Sequence, residues 1–501
     1  MPFQTLAAAA TLLTVAPHGN RIDLQLDRGS AEIRWVSAGT FRFRRVLEGP
    51  LPELNWAERD PVAVDIADSP DTVRLRSRAL EIVVTKKGAL LEVRRARGGT
   101  LSRDVAEPLS QAAGVTQERE APAGSDFFGL GPRTDSSFSL AGKSLRAEIP
   151  FFVSTAGYGE YHAGAGSYHF DFAAAGGGGG PRYKIAGTEI DYFFYYGPTP
   201  KEIFEEHNAV YHTPAWTVAA DRFGSWTALR AAMVRIVQGA MSAANAPLFD
   251  LAPYNGAPEE LQTRARQLGS IVARVTPGTV GLSGLRKQLE TFFGTYNAEL
   301  QDRGFPVWHP LPFQFPDDPE GTRHTDEFML GDEMLIAPIC EPGEQRSVYL
   351  PRGIWTNLET DEVTQGPRTI TVKTKSLPVF AKNGSIVPLN SGNAMALHYF
   401  PKSGGEFFLL EPDVADYSQV YAAPALDFVR LEIESKKDRD YQWVVHHLDK
   451  PSNVGFNGKP YRQVEVGEMG DRTWSYDPRT RRLQVRAAVK AGEDCIVDVE
   501  F

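Results

Sequence analysis

Cysteine is nearly absent from this chain. Its 501 residues include two, Cys340 and Cys495, far apart and near no histidine cluster. That excludes a disulfide framework as the organising feature and leaves two small buried apolar side chains. Long apolar runs are absent too: nothing approaches the roughly 18 residues of a membrane-spanning helix. The apolar start "MPFQTLAAAATLLTV" has no Lys or Arg ahead of its apolar stretch, so a secretory leader is not expected and a cytoplasmic location is. Positive charge is in deficit, with 53 Lys and Arg against 63 Asp and Glu and a net charge of −10. That argues against nucleic acid or an anionic membrane as partner. There is no internal repeat. No cluster of metal-ligand type stands out, so neither a metal nor an organic cofactor is expected.

What is present is ordinary globular composition, 42% hydrophobic and 23% charged, in a chain long enough for three or four domains. Residues 1–205 read as β. Short alternating runs such as "IDLQL", "FRFRRV" and "LEIVVT" are bounded by turn residues, the pattern of an antiparallel sandwich with one wet face. The pattern changes near Pro200. Helical spacing runs from "TPKEIFEEHNAVYH" through three further segments, Trp226 to about Ala244, Pro258 to Val275 and Ser283 to Arg303. Three short apolar strands, 215–220, 246–251 and 305–311, lie between them. Strand and helix alternating in this way indicate a parallel α/β unit over 206–325. From 326 the chain is β again, with a proximal sandwich expected over 326–395 and a distal β-domain over 396–501.

One acid asks for a decision. In "AADRFGSW" Asp221 sits between an apolar strand and a helix start. There it serves either as a favourable charge at a helix N-terminus or as half of a catalytic pair. Several segments resemble glycoside hydrolase family 31, the α-glucosidase and α-xylosidase family. "DFFGLGPR", "IPFFVSTAGYGEY" and "EIDYFFYYGPTPKEIFEEH" look like its N-terminal sandwich. "DEFMLGDEMLIAPI", "VYLPRGIWTN" and "LPVFAKNGSIVPL" look like its barrel exit and proximal C-terminal domain, and "FDLAPYNG" resembles its "DIGGFxG" segment. The resemblance implies hydrolysis of α-glycosidic bonds by carboxylates alone, with an α-glucoside or α-xyloside as partner. It puts Asp221 at the general acid/base position of a "GDNxxSW"-like segment, with Ser225 and Trp226 matching. By the same resemblance Trp226, Arg264 and His309 fall where the family contacts sugar.

The second carboxylate has no counterpart. A retaining glycosidase needs one roughly 5–5.5 Å from the first, and the family carries it in a "DMNE"-type segment ahead of the acid. Here "TPAWTVAAD" runs almost directly from the end of the first sandwich into the acid's strand. The α/β piece holds about 120 residues where a complete barrel takes roughly 250, and three strands where that barrel has eight. The expected architecture is therefore a multidomain α/β-plus-β chain: an N-terminal β-sandwich, a truncated (β/α)8-type barrel remnant and two C-terminal β-sandwiches. Other family positions also differ: Ala265 follows Arg264 in place of Trp, Gly278 replaces a His, Pro132 a Glu and His309 an Arg. Asp250, ending "APLFD", is the candidate replacement, at the wider spacing of roughly 6.5–9.5 Å that inverting chemistry tolerates. An Asp at a strand end is also an ordinary turn former. Three functional readings stay open: an active α-glycoside hydrolase, a non-catalytic relative that binds carbohydrate or protein, and a shortened form of an active α-glucosidase. A three-stranded parallel sheet has two edges, so a homo-oligomer contact or low local stability is expected there.

Overall fold

The computed structural model describes residues 9–501 apart from 58, 112–113, 174–179, 213–216, 219–223, 245–246, 273, 277–283 and 457–458. The chain divides into two units. One holds Met1–Arg133, Ser137–Thr213 and Met241–Ala244; the other holds Thr134–Ser136, Pro214–Ala240 and Asn245–Phe501. Among the described residues no helix is long and apolar enough to cross a membrane.

The first unit is two antiparallel sheets, one of eight strands and one of ten. Period-two alternation buries one face of each strand against the other sheet, as in Arg21–Leu26, where Ile22, Leu24 and Leu26 point inward. Aromatic rings fill the centre: Phe194 stacks on Phe41 at 5.3 Å and on Tyr158 at 5.1 Å. The strand Thr40–Val46 departs from the one-wet-face expectation, because Arg42 and Arg44 on its polar side are buried as well, and so is Arg45 on the side of Phe41 and Phe43. Trp56 covers the polar side, with the Arg34 and Arg42 guanidinium groups 5.4 and 5.7 Å from its ring. Each buried cation has an acceptor: Arg42 donates to both Asp191 oxygens at 2.7 and 2.6 Å, Arg44 to Glu32 at 3.2 Å, and Arg45 to the Gly88 and Ala89 carbonyls. Helix α1, Pro200–Asn208, starts with proline at its first turn, and the Glu202 carboxylate accepts the Thr199 N–H at 2.9 Å.

The second unit begins with helices α2, Trp226–Ala240, and α3, Glu259–Ile271. Between them runs a short parallel ladder: Thr217 bridges Leu248, and Leu248–Phe249 pairs with Arg274–Val275. The helix expected over Ser283–Arg303 is two pieces, α4, Gly284–Gln288, and α5, Glu290–Arg303, the second capped by left-handed Gly304. The strand expected at 305–311 forms, but not in the parallel ladder. Trp308–Pro310 pairs antiparallel with Phe328–Leu330 as the edge of a six-stranded sheet, and Arg274–Val275 takes the third parallel place instead. Proline at 306 and 310 leaves this segment too few N–H groups for a central position, and an edge strand tolerates that.

The proximal sheet continues through Met334–Ile336, Val379–Lys382, Gln345–Asn357 and Val363–Lys373. It packs on Leu311, Met329, Leu335 and Trp355. This proximal part is one sheet, not two. The change to the distal part comes before residue 395: Ile386–Ser391 and Ala394–Tyr399 already belong to the distal sheet that contains Arg439–Val445 and Arg482–Val489. A second six-stranded sheet, from Gly405–Glu411 to Asp494–Glu500, completes the distal part.

Candidate functional site

The parallel ladder places one of the expected site residues, Asp250, beside Thr276. Asp250 directly follows Leu248–Phe249, and Thr276 directly follows Arg274–Val275, so both stand at the C-terminal ends of parallel strands. Barrel enzymes carry their chemistry at such ends. Asp250 Oδ1 accepts the Ala252 N–H at 2.9 Å and the Thr276 hydroxyl at 2.9 Å, while the Leu251 N–H reaches that hydroxyl oxygen at 3.3 Å. This oxygen closes the turn into the single helical turn Ala252–Tyr254. The start of α2 lies against that turn: the Gly224 N–H donates to the Pro253 carbonyl at 2.8 Å. A Cβ on Gly224 would sit 2.6 Å from the Tyr254 ring, so no larger residue fits there. Ser225 Oγ then accepts the Ala228 N–H at 3.1 Å, capping α2, and half-buried Trp226 begins it. Asp221 lies outside the described residues.

Arg264 and His309 are engaged elsewhere. Arg264, on α3, is buried. Its Nη1 donates to the Lys375 and Ser376 carbonyls at 3.0 and 3.1 Å and to Gln267 Oε1 at 3.1 Å, and its Nη2 donates to the Gly343 and Thr374 carbonyls, both at 3.1 Å. Those bonds tie α3 to two loops of the proximal sheet and occupy both terminal nitrogens. His309, on Trp308–Pro310, is fully buried. Its Nδ1 lies 3.1 Å from Gln314 Oε1 and 3.2 Å from Asp332 Oδ1. Phe313 and Tyr296 flank its ring, and its Nε2 makes no hydrogen bond.

Sequence reasoning passed over the acids of "TDEFMLGDE". Burial pushes Glu327 up to about 8, although Arg346 opposes it. Its neighbour Asp326 is partly buried, yet the Arg346 hydrogen bond and charge outweigh that and hold it below the usual range. Burial beside Asp332 raises Glu333 strongly, and Glu333 accepts the Tyr296 hydroxyl at 2.7 Å. The available signal was the spacing: each acid pair abuts the short apolar strand Phe328–Leu330 or its turn, so one member of each pair must follow the apolar side chains inward.

The profile of the glycosyl hydrolase family 31 C-terminal domain matches residues 304–387, the stretch that begins at Trp308–Pro310 and carries the proximal sheet. Among curated proteins, the chain is 28% identical to alpha-glucosidase 2 of Bacillus thermoamyloliquefaciens over 40% of its own length. It is 37% identical to an alpha-glucosidase of Saccharolobus solfataricus over 21% of its length. Residues 304–387 therefore match the C-terminal domain of glycoside hydrolase family 31, and other stretches of the chain are similar to that family's α-glucosidases. Hydrolysis of α-glycosidic bonds is that family's reaction. The matched stretches span 28% and 15% of those two relatives' own length. A family 31 dextranase of Flavobacterium johnsoniae, solved with glucose, superposes with a TM-score of 0.83 at 13% identity, over 99% of this chain and 100% of that one. At that identity the likeness concerns the fold, in which several β-sandwich domains accompany few helices.

Proposed function

We propose that this chain is a family 31 relative that recognises an α-glucoside or α-xyloside at the ends of its parallel strands and does not hydrolyse it unaided. The observation that carries the reading is the state of Asp250. The one acid that the described residues offer as a replacement nucleophile or base has an oxygen engaged by a backbone N–H and a threonine hydroxyl, as a turn former does. Asp221 remains the acid/base position by resemblance, and a lone acid cannot both protonate the leaving oxygen and supply the second carboxylate. The short ladder of Thr217, Leu248–Phe249 and Arg274–Val275 supports descent from a (β/α)8 barrel of which part is gone. Trp226 is proposed as the apolar platform for a sugar ring. Arg264 and His309 are proposed as supports of the proximal sheet, because Arg264 is directed at its loop carbonyls and His309 at the Gln314 side chain.

The test compares wild type with Asp221→Asn and Asp250→Asn on an aryl α-glucoside. The reading expects no release above the uncatalysed rate in any of them, and saturable binding of maltose or isomaltose by wild type in ligand-observed NMR. Release by wild type that Asp221→Asn abolishes would refute it. Sequencing the native transcript across codons 212–221 separates a natural loss from a shortened form of an active α-glucosidase.

A further inference from the structure

Asp361 lies in the turn between Gln345–Asn357 and Val363–Lys373 of the proximal sheet. His446 and His447 directly follow Arg439–Val445 of the distal sheet. The fold brings the three together. Asp361 Oδ1 is 3.4 Å from His446 Nδ1 and 3.6 Å from His447 Nε2, and one donor atom from each of the three lies within 4.8 Å of the others. Ligand atoms around a tetrahedral ion at zinc–nitrogen distance stand roughly 3.4 Å apart. His447 Nε2 is buried and makes no hydrogen bond. Asp361 and His447 both hold left-handed backbone, φ 64° and 53°, a conformation non-glycine residues keep only where their surroundings enforce it.

We propose that Asp361, His446 and His447 bind a divalent transition-metal ion of the zinc class, which ties the proximal-sheet turn to the distal-sheet strand end. Two imidazoles and one carboxylate suit Zn2+, Co2+, Ni2+ or Cu2+ and not Mg2+ or Ca2+, which take oxygen ligands. The fourth position is open to water. His446 Nε2 lies 3.1 Å from Nδ1 of half-buried His398. With the ion bound, His446 Nε2–H donates to His398, and the Nδ1 lone pair faces the metal. Burial holds both ligand histidines below their ordinary range. Hydrogen bonding from His446 and then Arg482 holds the Asp361 carboxyl well below its own. Arg482 Nη2 is 3.1 Å from the same Asp361 oxygen. Its charge opposes the ion and limits the affinity, and on binding it becomes an outer partner of the carboxylate. The site goes beyond the carbohydrate reading and does not depend on it.

The experiment is calorimetric titration of the chelator-dialysed full chain with ZnCl2 at neutral pH, for wild type, Asp361→Asn and His447→Ala, each checked by circular dichroism. Wild type is expected to take up one equivalent and each variant to bind at least ten-fold more weakly. Zinc is expected to raise the melting temperature of wild type alone, MgCl2 to give no heat, and Co2+ to give the visible absorption of a tetrahedral site. Zinc affinity equal in wild type and both variants, or no uptake by wild type, would overturn the proposal. Should Asp361→Asn fail to fold, His447→Ala decides, since its side chain is 24% exposed and its removal leaves no buried charge unpaired.

Discussion

Replacing Glu327 with glutamine should make the second unit more stable at alkaline pH and leave it unchanged in acid. Glu327 is fully buried ahead of Phe328–Leu330. Its two oxygens accept the Tyr349 N–H at 3.0 and 3.2 Å, and His324 Nδ1 lies 3.4 Å away. Arg346 is 3.8 Å distant, too far to offset burial. Burial therefore raises this carboxyl from 4.5 to about 8. Between those values the folded chain keeps the proton and the unfolded chain has lost it. Stability then falls by about 1.36 kcal/mol per pH unit across the window, in the direction set by the proton bound only when folded. Over the whole window the loss comes to about 3–5 kcal/mol. Glutamine has the shape of the protonated acid: its carbonyl accepts the Tyr349 N–H, and its amide donates to His324. Urea unfolding of both proteins from about pH 5 to 9, followed by tryptophan fluorescence, isolates this group, because every other titration is common to the pair. The variant should gain on wild type steadily up to about pH 8 and then level off. A stability difference that stays flat across the range would refute the burial argument.

Arg264→Ala should destabilise the second unit by about 2–4 kcal/mol in thermal unfolding, because it leaves the Gly343, Thr374, Lys375 and Ser376 carbonyls without their shared donor. Lysine, a point charge in place of a planar fork, should not rescue it. Gly129→Ala should cost the first unit about 2 kcal/mol or more, since the residue has φ +124° and a Cβ there would lie 2.6 Å from the Phe151 carbonyl oxygen. Asp250→Ala should cost about 1 kcal/mol and Asp250→Asn little, because asparagine keeps the oxygen that the Ala252 N–H and Thr276 hydroxyl seek.

Local patterns in the sequence were legible where the chain interacts with its near neighbours, and less so where distant segments meet. Period-two alternation placed Thr40–Val46 in a sheet, but nothing in "FRFRRV" says that Trp56 and Asp191 will cover the arginine side. "FPVWHPL" reads correctly as a strand. Its partner, Leu330 opposite Trp308, is fixed by tertiary packing, in which the Trp308 ring stacks on Phe328 at 3.9 Å. The family motifs put Arg264 in a helix near a site. Only the carbonyls of a loop over a hundred residues further on show what that guanidinium holds. The histidines at 446 and 447 are adjacent in the sequence, but their acid lies 85 residues earlier in a turn of another sheet. A cluster of that kind has no spacing rule to betray it.

The parallel ladder is where the expectation of low local stability meets a measurable quantity. Leu248–Phe249 and Arg274–Val275 are two residues each, and among the described residues the ladder is extended by the Val218 N–H to the Leu248 carbonyl at 3.0 Å and the Thr276 N–H to the Phe249 carbonyl at 3.2 Å. Ile190–Tyr196, by contrast, runs seven residues and is paired on both sides, with Thr40–Val46 and Tyr158–His162. Opening two-residue strands breaks shorter pairings than opening Ile190–Tyr196, which breaks two sheet contacts and exposes stacked rings. Amide exchange reports that difference directly, because each N–H exchanges through the least costly opening available to it. The Val218 and Thr276 amides should exchange far ahead of Phe193 and Phe194 at equal temperature and pH. Equal protection would sink the instability argument, since strands this short should not supply it from within the ladder. If protection instead rises with protein concentration, the sheet edge is being covered by a second copy of the chain.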